Sequence, residues 1–266
     1  MPKSFSRRIK PKKLLRPPAP IEIVPIPGLP EIHAGDDLAA EIVAAAFRAR
    51  IKFKSGDVLV VAQKIVSKAE GCVTELAAVV PSAQALQLGA KLKKDPRLIE
   101  VILGESRRIV RSDPVLIVET HHGLVCANAG VDQSNVPGNE VVTRLPRDPD
   151  RSARDLVTAL RRRTRTRIAV IVSDTFGRPW RLGLTNVAIG AAGVPALVDL
   201  RGTRDADGKL LHATIIAVAD ELAAAGGLLM GKAAGVPAAI VRGYRYRPTR
   251  DQAARIIRRA EEDLFR

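Results

Sequence analysis

The chain has 266 residues, 46% of them hydrophobic and 27% charged, with a formal net charge of +15. This composition describes a globular protein with enough chain for a large core. No apolar run approaches the length of a membrane span, and the basic N-terminus has no apolar stretch behind it, so neither a membrane nor a secretory signal is expected.

A charge this high first suggests nucleic acid. Its distribution argues otherwise. Lys3, Arg7, Arg8, Lys10, Lys12, Lys13 and Arg16 share residues 1–20 with five prolines and no acid, which reads as a disordered basic tail. The block from Arg161 to Arg167 closes a helix, where arginines complement the dipole. Aromatic residues, at 3%, are too few for the stacking platforms of single-strand binders. A basic surface that attracts anionic small molecules explains the charge, and no nucleic-acid partner is expected. Cys72 and Cys126 lie far apart and form no CxxC, which fits a reducing cytoplasm and gives no metal or disulfide signal.

In chain order, Ile21 to Ile26 reads as a strand. Asp37 caps a helix from Leu38 to about Arg50, with Leu38, Ile42, Val43 and Ala46 on one face. Val58 to Val61 is a strong strand continuing towards Ile65-Val66. Helices follow at 82–94 and 96–111, and Glu105 on the apolar face of the second is paired or functional. Strands at Val115 to Glu119 and Leu124 to Ala127 flank the turn His121-His122-Gly123. A small polar segment then carries Asp132 and Asn135. Ser152 with Asp155 boxes a helix over 153–165. The strand from Ile168 to Val172 comes next, followed by strands near 196–200 and 213–218. Asp207-Gly208 reads as a hairpin turn rather than a calcium loop, because Ile216 stands where the last ligand is required.

Asp220 and Glu221 open an alanine-rich helix running into Gly226 to Ala233. That segment has Walker A spacing, but Ala233 replaces the metal-binding hydroxyl and a helix precedes it, so it is no P-loop. A glycine-rich segment with one lysine can still line a triphosphate by another geometry. Ala238 to Val241 is a last buried strand, and Thr249 with Gln252 starts a C-terminal helix. Strands and helices alternate irregularly, which gives an α+β fold of mixed sheets with flanking helices.

The chemistry concentrates between Arg167 and Arg181. Ile168 to Val172 is an unbroken β-branched run, the pattern of a strand buried on both faces. It delivers Asp174 and Thr175 to the sheet edge, where Gly177 and Pro179 force a turn. Arg178 and Arg181 flank Trp180. Oxygen ligands suit Mg²⁺ or Mn²⁺, guanidinium groups suit phosphate, and an indole can cover a ring. Each residue alone fits an ordinary strand-end turn; together they point to a phosphate-and-metal site.

Several segments, in order, closely resemble the coenzyme F420-0:L-glutamate ligase (γ-glutamyl ligase) family. They include Gly28-Leu-Pro-Glu-Ile32, Gly56-Asp-Val-Leu-Val-Val61, Ile65-Val-Ser-Lys-Ala-Glu-Gly71, Ala127-Asn-Ala-Gly-Val-Asp-Gln-Ser-Asn135, Ser173-Asp-Thr-Phe-Gly-Arg178, Ala219-Asp-Glu-Leu-Ala223 and Val241-Arg-Gly243. The likeness spans about residues 22 to 245. It implies two interleaved subdomains, with the ligase domain at 21–246 and a packed C-terminal helix at 247–266. It also implies a homodimer in the cytoplasm.

The same resemblance implies GTP-dependent joining of L-glutamate to the lactyl carboxylate of F420-0 through an acyl phosphate, and a further γ-linked glutamate thereafter. It implies as well that Mg²⁺ or Mn²⁺ is required and that K⁺ assists. Carried over by position, Asp132, Asp174 and Thr175 would hold the metal, and Arg178 would act with the two carboxylates. Leu29, Pro30, Glu31, Ile32, Gln63, Lys64, Lys68, Asn135 and the segment opening with Met230, Gly231 and Lys232 would line GTP. At Lys232 the chain departs from the pattern, since archaeal members place an acidic metal ligand there; a lysine suits phosphate charge instead. The other enzymatic reading is a metal-dependent phosphoryl transferase acting on another small carboxylic acid. The non-enzymatic one is a basic nucleic-acid-binding protein.

Overall fold

Two β-strands that meet in parallel, surrounded by antiparallel neighbours, organise the molecule. The computed structural model describes residues 20–133, 140–231 and 234–263. Strand β1 (Glu22–Pro25) precedes helix α1 (Leu38–Arg48), whose first turn is closed by the Asp37 carboxylate accepting from the Ala40 N–H at 3.0 Å. Strand β2 (Val58–Ala62) passes without a loop into helix α2 (Gln63–Ala69). Strand β3 (Val73–Glu75), helices α3 (Ala83–Leu92) and α4 (Pro96–Gly104), and strands β4 (Ser106–Ser112), β5 (Leu116–Thr120), β6 (Val125–Ala127) and β7 (Val141–Thr143) form a second lobe.

The chain then returns to the first lobe through helix α5 (Pro149–Thr164) and strands β8 (Ala169–Arg178) and β9 (Arg181–Ala192). Short strands β10 (Val198–Asp199) and β11 (Ile215–Ile216), helix α6 (Val218–Met230) and strand β12 (Ala238–Arg242) complete it. The main sheet has the order β1-β12-β2-β8-β9, and only β2 and β8 run parallel. A three-stranded sheet β4-β5-β6 and the pairs β3-β7 and β10-β11 accompany it. The fold is α+β, as the irregular alternation of elements predicts.

Why the β2 and β8 sequences are apolar throughout is plain from their surroundings. Leu59, Val61, Val170 and Val172 face a core shared with α1 and α5, while Val58, Val60, Ala169 and Ile171 face the core beneath α6. Each fully buried Val, Leu or Ile contributes about 1.5–3 kcal/mol relative to exposure. A third core, built from Leu76, Ile99, Ile102, Leu116, Val118, Val131 and others within residues 76–142, holds the second lobe. Among the described residues no helix is long and apolar enough to cross a membrane.

Several local expectations are corrected. The strand expected to continue to Ile65-Val66 ends at Ala62, and a helix begins at Gln63. The helix expected over 96–111 ends at Gly104, and Ile109 belongs to β4; Glu105 is paired with Arg144 Nη1 at 2.9 Å. Helix α5 starts at Pro149 under an Asp148 cap rather than at a Ser152/Asp155 box, because proline is preformed for a first helical turn. The C-terminal helix expected over 247–266 is replaced, within the described residues, by 3₁₀ turns at Ala253–Ile256 and Ala260–Glu262. Tertiary bonding prevails over local propensity here: the buried Asp150 carboxylate accepts from the N–H groups of Ala253 and Ala254, and from that of Ala191. Finally, β8 runs through Gly177 to Arg178, and the turn is Pro179-Trp180 at the tip of a long hairpin.

Candidate functional site

A cleft of about 760 Å³ opens where the parallel pair ends. The β2–β8 ladder stops at Ala62 opposite Ser173. Beyond it, β2 has become α2, while β8 continues with β9 as a two-stranded ribbon. Backbone and side chains at this fork are released towards solvent, the position at which sheet proteins hold ligands.

Each wall comes from a different element. Helix α2 supplies Gln63, Lys64 and Lys68; the loop after β1 supplies Leu29, Pro30, Glu31 and Ile32. The turn after β6 brings Asn128, Gly130 and Asp132, and β8 brings Ser173, Asp174 and Thr175. The end of α6 contributes Gly227, Met230 and Gly231. The expected residues of these segments therefore line one cavity, although they come from distant parts of the chain.

The ionic contacts are specific. Lys64 Nζ lies 2.8 Å from Asp132 Oδ2, and Lys68 Nζ lies 2.5 Å from Glu31 Oε1. Lys68 is buried, whereas half of the Glu31 side chain is exposed. Asp132 is held by its backbone: its N–H and C=O both pair with Thr143 of β7, at 3.1 and 2.9 Å. The turn that leads to it carries Asn128, Ala129 and Gly130 in succession at φ of 53°, 54° and 69°. Left-handed backbone at a non-glycine residue costs about 1–2 kcal/mol, and here the surrounding packing maintains it.

On the facing wall, Asp174 Oδ1 accepts from the Thr175 N–H at 2.8 Å. Gln63 is 1% exposed. Its Oε1 accepts from the Ser67 hydroxyl at 2.7 Å, while its Nε2 has no hydrogen-bond partner among the described residues. A buried amide N–H without an acceptor is costly, and a ligand oxygen would satisfy it.

Ser173 and Asn186 also line the cleft, and Asn186 Nδ2 donates to Ser173 Oγ at 2.8 Å. Ser173 belongs to the family-like segment before Asp174, whereas Asn186 carries no signal in the sequence alone: the register pairs it with Thr175, which is visible only once the turn is placed at 179–180. Gly227 belongs to the same arrangement, since a Cβ there would stand 2.5 Å from Asn186 Oδ1. The glycines at 226–227 thus lie inside α6, and they let the helix approach Val60 and Asn186 closely.

Cys126 lines the cleft too, but burial, with the Asp174 charge adding to it, pushes its thiol up to about 12. Such a thiol is protonated at neutral pH and is no nucleophile. Arg178 does not line the cleft. It projects from the exposed ribbon, where its Nη2 reaches the Leu182 carbonyl at 3.4 Å, and Trp180 at the tip is 81% exposed. Asn135 and Lys232 lie outside the described residues.

The donor set fits a hard divalent cation. Asp132, Asp174 and Thr175 offer only oxygen atoms, and a lysine ammonium already stands against Asp132 in the place of a positive charge. Among the described residues no group of three or more His, Cys, Asp or Glu side chains is arranged to hold a metal. Magnesium commonly uses one or two carboxylates and completes its shell with water and substrate phosphate, so Asp132 and Asp174 are the residues that would hold it.

Comparison with known proteins identifies the family. The family model described as F420-0:Gamma-glutamyl ligase matches residues 28–243. The Coenzyme F420:L-glutamate ligase of Methanothermobacter thermautotrophicus is 46% identical over 250 residues, covering 92% of this chain and 99% of that protein. The protein of the same name from Methanopyrus kandleri is 46% identical over 252 residues, covering 92% and 98%. That from Methanocaldococcus jannaschii is 38% identical over 241 residues, covering 90% and 94%. The matched region contains every residue that lines the cleft, and the chain belongs to the F420-0:gamma-glutamyl ligase family.

Proposed function

We propose that this protein joins L-glutamate to the lactyl carboxylate of coenzyme F420-0 with GTP as the driving co-substrate, and can add a further γ-linked glutamate. The observation that carries the reading is the cleft at the β2–β8 fork, where carboxylates and lysines converge in a ligase of this family. The names of the similar proteins supply the substrate class.

A carboxylate is a poor acyl donor. In the proposed sequence one of its oxygens attacks the γ-phosphorus of GTP, GDP leaves, and an acyl phosphate forms. The glutamate amine then adds to the acyl carbon, the C–O bond to phosphate breaks, and nitrogen loses a proton to give the amide. Both steps place charge on phosphoryl oxygens, so positioning and electrostatics supply most of the acceleration.

Lys64 and Lys68, four residues apart on α2, bring two ammonium groups to one wall. The Gln63 amide donates to a ligand oxygen from the same helix. Asp132, Asp174 and Thr175 would hold Mg²⁺ or Mn²⁺, which when bound supplies charge neutralisation at the phosphates. Reading Lys232 as a phosphate partner gives a direct expectation: Lys232→Ala raises the KM for GTP roughly 10- to 100-fold, the effect of one charge-assisted contact. The stimulation expected from K⁺ is checked by omitting it.

The proposal includes a homodimer working in the cytoplasm. Trp180, Leu182 and Leu184 expose apolar surface along the ribbon, which a second copy of the chain would cover. Light scattering checks this, with Leu182→Asp expected to weaken association.

The chemical order is tested with F420-0 carrying ¹⁸O in its lactyl carboxylate. Activation through an acyl phosphate transfers one ¹⁸O to the released phosphate. Unlabelled phosphate would contradict it.

A further inference from the structure

The cation already present on Asp132 is part of the protein. Lys64 Nζ sits 2.8 Å from Asp132 Oδ2, with the side chains only 16% and 35% exposed, so the pair is partly shielded from solvent. From this contact we infer that Lys64 acts as a tethered occupant of the cation position, so that Asp132 takes a divalent metal only together with a phosphate-bearing nucleotide. The inference rests on the metal reading above.

Lys64 stands against one oxygen of the Asp132 carboxylate. A metal ion bound to Asp132 would share that carboxylate with an ammonium. At an effective dielectric near 20, repulsion between charges this close weakens nucleotide-free metal binding by roughly 10-fold or more. A triphosphate eases the conflict, because its oxygens accept the Lys64 ammonium.

The local architecture suits such an exchange. The backbone of Asp132 is clamped to Thr143, so the carboxylate keeps its place when its partner leaves. Lys64 sits in the first turn of α2 with Nζ at the end of a four-carbon stem, so side-chain rotation alone redirects the charge. Lys68, one turn further on, pairs with Glu31 at 2.5 Å. Metal and nucleotide then bind with positive coupling that passes through one side chain.

The test is Mn²⁺ binding followed by electron paramagnetic resonance, which needs no turnover. Without nucleotide, Lys64→Met and the second neutral variant, Lys64→Gln, should bind Mn²⁺ roughly 10-fold or more tightly than wild type. Lys64→Arg, which keeps the charge, should remain weak. A non-hydrolysable GTP analogue should tighten Mn²⁺ binding more in wild type than in either neutral variant. Nucleotide-free affinity in a folded neutral variant equal to or below that of wild type would overturn the inference. The underlying metal reading is separated by Asp132→Asn: if that variant keeps wild-type Mn²⁺ affinity with the analogue bound, the metal does not use Asp132, and both readings fall.

Discussion

Two sets of carboxylates in this molecule are held in opposite ways. Asp57 and Asp150, immediately before β2 and in the first turn of α5, are buried and fastened by fixed donors. Asp57 receives Arg242 Nε and Nη2 at 2.9 and 2.8 Å and the Lys54 N–H at 2.8 Å. Asp150 receives three backbone N–H groups. In the cleft, Asp132 instead meets a lysine on a flexible stem, and Asp174 takes the N–H of its own neighbour. The first arrangement joins segments distant in sequence. The second leaves both carboxylates lining a cavity, Asp132 with a side-chain ammonium against it. On the proposed reading, carboxylates of one residue type are sorted into structural and functional roles by what faces them, not by burial alone.

The comparison breaks most readily on the structural side. Arg242→Ala strips the buried Asp57 of its guanidinium, and removing one partner of a buried pair costs about 3–5 kcal/mol. Chemical denaturation should show that loss. On the functional side, Asp174→Asn removes charge at nearly constant volume. Activity should fall about 100-fold or more, equivalent to about 2.7 kcal/mol of barrier, while stability changes by about 1 kcal/mol or less. Retained activity at saturating Mg²⁺ would return Asp174 to the structural group.

Asp150→Ala sharpens the contrast at intermediate size. It orphans three backbone donors, and at about 1–3 kcal/mol for a buried unsatisfied group the C-terminal turns should loosen first. Hydrogen exchange should accelerate at Ala253 and Ala254 before the rest of the sheet.

The smallest effect concerns Asp220, in the first turn of α6, which accepts from the Ala188 N–H at 2.9 Å. Burial raises its pKa above the ordinary 3.8, an effect partly offset by that N–H. The folded state therefore holds this proton more tightly than the unfolded chain. The resulting stabilisation is full below pH 3.8 and is lost as pH rises through the raised value. Asp220→Asn should flatten this part of the stability profile, and thermal melts across that range would show it.

How far the sequence carried the architecture depends on the kind of signal. The buried strands β2, β8 and β12 were legible because continuous apolar runs are required where both faces are covered. The Asp37 cap was legible for a similarly local reason. The boundaries of α4, α5 and the C-terminal turns were not, since they depend on partners far along the chain, such as Asp150 for Ala253 and Ala254. The cleft lysines and Asp132 could be named through family resemblance, but not their ion pairs, because Lys64 and Asp132 meet only when the second lobe folds back onto α2. Arg178 read as a site residue from its closeness to Asp174 in sequence, yet an extended strand carries it out along the ribbon. Asn186 was hidden for the complementary reason, lying across the hairpin from Thr175.

The central claim is that this cleft couples GTP to amide formation on F420-0, and product mass spectrometry tests it most directly. The protein incubated with F420-0, L-glutamate, GTP and Mg²⁺ should yield F420-0 heavier by one glutamyl unit, with one GDP and one phosphate released per unit added. Phosphate release from GTP without any glutamyl gain would contradict the account.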